Sequence, residues 1–217
     1  MSETLTLPVV PMRSSVLLPG VGLPIAAGRM PTLRGIEAAL NTPERQVFAV
    51  AQRQDGDSVT PESLYTIGTI ATIGSVQRGL GSIRLVLEGK SRGIALRVVQ
   101  QKNGYLEATV QQATEMLPLN PRDPAFVGLH REVRDRAAEL GRKAGLPEEA
   151  IEQILAEVNE PGRLADLVAG YVDVSPVERQ ALLETLSVED RLRRVLVHVQ
   201  RQIEVLSAQE DIQSKVK

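Results

Sequence analysis

The sequence predicts an α+β protein, with a strand-rich first half and an all-helical second half. Three observations predict it. Segments rich in β-branched residues, such as "TIGTIATIGSV" and "SIRLVLEG", all lie before Met116. Beyond Pro124, apolar residues recur at three- and four-residue steps. Between these regions, "EMLPLNPRDPAF" carries Pro118, Pro121 and Pro124, and each proline biases its predecessor away from helix. A boundary there gives an N-terminal β domain, 1–117, and a C-terminal helical bundle, 118–217.

The first domain reads as about six strands with one or two helices. "TLTLPVVPM" is an opening strand, placed near a sheet edge by its prolines. "MPTLRGIEAALNT" has Leu33, Ile36, Ala39 and Leu40 at helical spacing, with Pro31 near its start. "RQVFAVAQR" is a short apolar strand, and "TPESLY" a capped turn with Pro61 after Thr60. "TIGTIATIGSV" and "SIRLVLEG" form a hairpin across "RGLG". "GIALRVVQQ" and "YLEATVQQ" form another across "KNG", where Asn103-Gly104 predicts a turn with φ > 0 at both positions. Antiparallel hairpins in this number predict a small barrel or curled sheet.

The second domain reads as a bundle. Phe126, Leu129, Val133, Ala137, Leu140 and Ala144 mark one helix, which Gly145 stops. Pro147 starts the next, with Ile151, Ile154, Leu155 and Val158 as its buried face. Pro161 starts a third, carrying Leu164, Leu167, Val168 and Tyr171. "SPVE" makes Ser175 an N-cap with Glu178 in capping-box register, and "SVED" repeats the device with Ser187 and Asp190. Leu192, Leu196, Val199, Ile203 and Leu206 then step 4-3-4-3, as in a coiled-coil seam. Glu210 and Gln213 continue that seam without apolar character, and no Gly or Pro ends the helix. A long helix projecting from the bundle, cut within a longer chain, is the expectation.

Composition narrows the function. The net charge of −2 gives no global drive toward nucleic acid or an anionic membrane. There is no cysteine, hence no disulfide or thiolate metal site. No apolar run reaches the length of a membrane span, and "MSETLTLPVV" has no basic n-region. A cytoplasmic protein is expected. "GLGS" lacks the Lys and the strand–loop–helix setting of a phosphate loop. His130 and His198 lie on separate helices without companion ligands. No Ser sits in a nucleophile elbow. Lys90, Arg92 and Arg97 have no interleaved aromatics of the kind that stack on bases. These residues predict a binding or structural module with no catalytic or metal site.

Several segments resemble one family in order along the whole chain. "LPVVPMRSSVLLPGVGLPIAAGR" is similar to the opening of the Lon ATP-dependent proteases, where a strand with paired prolines leads into a "PG…P…GR" segment. "YTIGTIATI" resembles the family's Tyr-x-x-Gly-Thr strand, and "LVLEGKSRGIALRV" its hairpin region. "EPGRLADLVAGYV", "RQALLETLSVEDRLRRVLVHVQRQIEVL" and "IQSKVK" resemble its bundle and the helix that leads toward the ATPase. The resemblance implies a PUA-like β pseudobarrel, then a helical bundle and a long connecting helix. It also implies that the ATP- and Mg-binding AAA+ module and the Ser-Lys protease dyad lie beyond Lys217. No cofactor and no catalysis are then expected of this fragment. The opening loop departs from the family pattern. Family members often carry an acidic residue and a bulky aromatic there, whereas this chain has Ser14, Ser15 and Leu18.

The same loop holds the candidate site. "LLPGVGLPIAAGR" is apolar yet broken by Pro19, Gly20, Gly22, Pro24 and Gly28, so it reads as neither helix nor central strand. An apolar surface on adaptable backbone suits unfolded or damaged protein. Leu17, Leu18, Pro19, Val21, Leu23 and Pro24 are the candidate substrate-binding residues. Leu80, between Gly79 and Gly81 at a hairpin tip, joins them. The opposing reading has these side chains plugging the barrel. A mixed outcome is expected, with Ile25 and Ala26 inside and Leu18, Val21 and Leu23 partly out. Three functions follow. One is a substrate-recognition module of a Lon protease. Another is an assembly module organising a homohexamer of Lon subunits. The third is a stand-alone regulatory protein.

Overall fold

Strand β1 (Thr4–Met12) changes partners at Pro8. Thr4–Pro8 pair antiparallel with β6 (Leu106–Gln112), and Val9–Met12 pair parallel with β3 (Gln46–Ala51). The computed structural model describes residues 3–54 and 56–216. Contrary to the edge expectation, β1 is therefore an interior strand. A proline withholds one donor from a ladder, and at Pro8 the ladder is already being handed from one neighbour to the other.

The strand order is β2-β5-β4-β3-β1-β6, and β5–β6 pairing closes the sheet. β4 (Ile67–Gly79) and β5 (Ser82–Gln100) form the long hairpin. The two segments "SIRLVLEG" and "GIALRVVQQ", expected as separate strands, are one 19-residue strand. Gly89 and Gly93 lie where β5 leaves β2 (Gly22–Ala27) and joins β6, with a register irregularity at Ala95/Arg97. The turn after β5 also differs from expectation. Gly104 has φ +94, whereas Asn103 does not have positive φ. Gly104 N–H donates to the Gln101 carbonyl (2.9 Å) and Gln101 N–H to the Tyr105 carbonyl (2.8 Å). This is a three-residue loop with the glycine in the left-handed position.

β1 and β3 are buried on both faces. Val9, Phe48 and Val50 face a core with Leu7, Ile70, Leu106, Ala108 and Val110. Val10, Val47 and Ala49 face a second core with Ile36, Ala39, Ile73, Leu85 and Leu87. Helix α1 (Met30–Leu40) supplies Ile36 and Ala39 to that second core. Two-sided burial explains why "QVFAVA" is continuously apolar rather than alternating. Phe48 fills the first core because Gly68 and Gly93 leave room: a methyl on either would lie within 3.1 Å of its ring.

The chain divides between Thr114 and Glu115. Glu115 and Met116 go with the helices, since Met116 N–H donates to the Leu186 carbonyl and Val188 N–H to the Met116 carbonyl, both at 2.9 Å. The helical unit contains α2 (Pro124–Lys143), α3 (Glu148–Ala156), α4 (Pro161–Tyr171), α5 (Pro176–Glu184) and α6 (Val188–Val216). Asp123 caps α2, and Gly145 (φ +91) follows its end. Ser175 and Glu178 form the capping box of α5, and Ser187 Oγ accepts from the Asp190 N–H (3.2 Å). On α3 only Ile151 is buried and Ile154 is exposed, since a nine-residue helix has room for little more than one inward contact. Tyr171 is the last residue of α4 and is exposed. α6 packs on α2 and α4 through Val188, Leu192, Val195 and Val199. Ile203 and Leu206 are half-buried, and the helix is solvated from Ala208 to Val216; Lys217 lies outside the described residues.

Candidate functional site

The opening loop is built on a tight turn. Pro19 and Gly20 (φ +81) occupy the central positions of Leu18–Val21, and the Val21 N–H donates to the Leu18 carbonyl (3.2 Å). Positive φ at the third residue of the turn, directly after a proline, is the requirement of a type II turn. Three further bonds fasten the turn to the barrel. The Thr69 hydroxyl donates to the Leu17 carbonyl (2.6 Å). The Gly20 N–H donates to the Gly89 carbonyl and the Gly89 N–H to the Val21 carbonyl, each at 2.9 Å. Gly89 permits this approach because it lacks a side chain.

The consequence is burial. Leu17 is 2% exposed and Leu18 is 1% exposed. The expectation that Leu18 lies partly out is corrected: the turn's fastening to Gly89 drives it inward. Leu17 belongs to the core under α1. Pro19 is half-buried on the turn.

The remainder of the loop is a strand, β2, and not irregular backbone. It pairs Gly22–Ala27 with Glu88–Ile83 of β5, and no other strand flanks it among the described residues. The Gly89–Val21 bond sets the alternation. Leu23, Ile25 and Ala27 direct their backbone groups to β5, and Gly22, Pro24 and Ala26 to the free edge. Pro24 therefore withholds its missing donor from solvent and not from the ladder, which is where an edge strand tolerates proline. Side chains follow the same period. Val21, Leu23 and Ile25 pack half-buried against the core, and Pro24 and Ala26 are exposed. Ala26, expected inside, thus faces out.

Leu80 is fully exposed, at 105% of its reference area, on the turn between β4 and β5. Arg78, beside it, bonds Glu37 of α1. A shallow groove runs along the same three-stranded arm, lined by Pro24, Ala26, Ser75, Gln77, Arg84 and Val86. The polar and basic members of this groove had no signal in the sequence beyond the alternation of β4 and β5. From Gly89 to Ser82 the arm spans roughly 24 Å at strand rise. The candidate residues thus follow one another along the arm, with Pro19 and Val21 at one end, Leu23 and Pro24 on opposite faces of β2 between, and Leu80 at the other end. Leu17 and Leu18 lie beneath it.

No group of three or more metal-ligating side chains occurs among the described residues. No helix among them is long and apolar enough to cross a membrane. His130 is half-buried on α2, with Nε2 enclosed and without a hydrogen-bond partner.

A family model described as the ATP-dependent protease La (LON) substrate-binding domain matches residues 6–201. The chain is 41% identical to Lon protease 1 of Sorangium cellulosum over 219 residues, which is 100% of this chain and 27% of that protein. It is 32% identical to Lon protease 2 of Thermus thermophilus, over 98% of this chain and 26% of that one. It spans about a quarter of the length of these relatives. Among solved structures, the N-terminal domain of a Mycobacterium avium complex Lon protease superposes with a TM-score of 0.72 at 22% identity, over 90% of this chain and 98% of that one. A Lon N-terminal domain protein from Xanthomonas campestris gives 0.61 at 18% identity, over 89% and 98%. These two likenesses carry the α+β fold.

Proposed function

The chain belongs to the Lon substrate-binding domain family, and from that premise we propose that it captures unfolded or damaged protein for ATP-dependent degradation by a Lon protease, without catalysis of its own. The observation that carries this reading is the arm of β2, β4 and β5. It exposes Leu80 and Pro24 and holds Val21, Leu23 and Ile25 half-buried along an unpaired strand edge. An unfolded chain offers scattered apolar side chains, and a strip with apolar contacts at intervals meets them without demanding one sequence. Native proteins keep those side chains inside and find little to bind.

A second reading is assembly of Lon subunits into a hexamer. It is favoured by one observation: α6 carries Val205, Ile212 and Val216 exposed on its final turns. The two readings separate in one experiment. The ¹⁵N-labelled chain is mixed with a single model protein, first native and then held unfolded by reduction of its disulfides. Capture predicts shifts along Val21–Ala27 and at Leu80 with the unfolded form alone. Equal shifts with both forms, or shifts confined to α6, would reject capture.

A further inference from the structure

β2 gives one edge to β5 and leaves the other without a strand among the described residues. The N–H and carbonyl groups of Gly22 and Ala26, and the carbonyl of Pro24, point along that open edge. Unpaired edges invite other chains, and proteins ordinarily blunt them with charge, bulges or cover. β2 reads Gly-Leu-Pro-Ile-Ala-Ala and carries no charged side chain. Its register with β5 runs from Gly22↔Glu88 to Ala27↔Ile83 without a bulge.

Gly22 is a second, independent observation. Its φ is not positive, and a methyl on its α-carbon would meet only Val86 Cγ1, at 3.9 Å. The fold does not require glycine there, and glycine weakens a strand, but it lets another backbone approach closely. The other edge-directed residues, Pro24 and Ala26, are compact and exposed, and the groove over them is lined by Val86 and Arg84 of β5.

Pro24 decides the occupant. A second copy of β2 would bring its own proline, so the shared ladder would lack two donors, whereas a strand without proline leaves only one missing. The edge thus disfavours pairing between copies and accepts a foreign strand. An arriving antiparallel strand places alternate side chains opposite Leu23 and Ile25, where they cover two half-buried residues of the core face. Its other side chains lie beside Gly22, Pro24 and Ala26. Arg84, exposed and paired with Ala26 across the ladder, favours an acidic side chain there.

We infer that β2 takes up an extended, proline-free segment of an unfolded protein as an added antiparallel strand, held by its backbone and selected by apolar side chains at alternate positions. This rests on the capture reading above and specifies its mode. Backbone bonds supply the affinity, so many sequences qualify, and a folded protein, whose strands are already paired, does not.

The test titrates the ¹⁵N-labelled 217-residue chain with the synthetic peptide Ser-Glu-Val-Thr-Val-Lys-Ser, acetylated and amidated at its ends. Two further versions carry one backbone N-methyl group each, on the central threonine or on the valine after it. Saturable amide shifts along Gly22–Ala26 are expected, with slowed hydrogen exchange at the Gly22 and Ala26 N–H groups. In the antiparallel register the threonine N–H faces β2 and the valine N–H faces solvent. Methylating the first should weaken binding about tenfold, and methylating the second should change it by less than about twofold. Pro24→Ala restores the missing donor and should tighten binding about fivefold. Ala26→Pro removes an edge donor without touching the β5 ladder and should weaken binding about fivefold. In both variants, unchanged exchange at Leu23 and Ile25, whose N–H groups bond to β5, shows that the arm is intact. Weakened or unaltered binding in Pro24→Ala, or equal effects of the two methylations, overturns strand addition and leaves capture by side chains standing. No shift along Val21–Ala27 with either the peptide or a reduced, unfolded protein rejects the capture reading as well.

Discussion

Gly89 lies so close to Leu18 that a methyl group on its α-carbon would sit 2.3 Å from the Leu18 carbonyl oxygen. No real Cβ tolerates that distance, and the obstacle is backbone, which cannot rotate aside. Gly89→Ala must therefore part the opening turn from β5 and break the reciprocal Gly20–Gly89–Val21 bonds. A loss of about 3 kcal/mol or more is expected, read as a fall in the urea midpoint. Gly28 is the control. It has open space around its α-carbon and no positive φ, so Gly28→Ala should be neutral or stabilising by about 0.4–1 kcal/mol.

Leu18 and Leu80 separate packing from capture. Leu18→Ala removes a side chain from the core and should cost about 2–5 kcal/mol. Leu80→Ser alters a residue with nothing packed around it and should stay within about 0.5 kcal/mol of the parent. If the arm captures unfolded protein, Leu80→Ser weakens that binding at unchanged melting temperature. Unchanged binding at unchanged stability would remove Leu80 from the capture surface.

The contrast between these residues shows what the sequence carries and what it does not. Leu80 is legible because flanking glycines mark a hairpin tip, where an apolar side chain has no core to enter. Caps and breakers at Ser175, Ser187 and Gly145 are local, and they are where the sequence places them. Leu18 is illegible because its burial depends on a glycine in a distant strand. β2 hides behind Pro24, since a proline is compatible with a strand once its missing donor faces the free edge, and the edge is a property of the whole sheet. Asn103-Gly104 marks a turn correctly, but the turn type follows from the length of the loop between β5 and β6. Arg191 is the extreme case. It sits between Val188 and Leu192 in a helix dense with arginines, and nothing adjacent distinguishes it from the exposed Arg193.

Arg191 is fully buried, with 0% exposure. Its guanidinium donates to Glu115 Oε1 (2.9 Å), to the Thr185 carbonyl (2.8 and 3.0 Å) and to Asp166 at 3.5 Å. It joins the start of the helical unit, α4 and the α5–α6 turn. Its removal leaves the buried Asp166 without this cation and the Thr185 carbonyl without its two donors. Arg191→Ala should therefore destabilise by about 3–5 kcal/mol. Arg191→Lys should lose most of the same stability, because an ammonium cannot reproduce the fork geometry. Denaturant melts followed by helical circular dichroism measure both. A variant within 1 kcal/mol of the parent would show that the cluster is replaceable by packing alone.

The last prediction concerns pH. Burial first, and then the adjacent Arg134, hold the His130 imidazole below its ordinary value of 6.5. Its enclosed Nε2 has no acceptor to welcome a proton, and Arg134 is fixed in place by donating to the Leu155 and Val158 carbonyls. The unfolded chain binds the proton more readily than the folded one, so stability rises with pH through this window. The contribution is full above pH 6.5. It declines as pH falls from 6.5 toward the lower folded value, and it levels off once both states are protonated. His130→Gln removes the titration and should flatten the slope of unfolding free energy between pH 5 and 7, measured by urea denaturation in steps of half a unit. A slope that survives His130→Gln would place its origin in groups other than this imidazole.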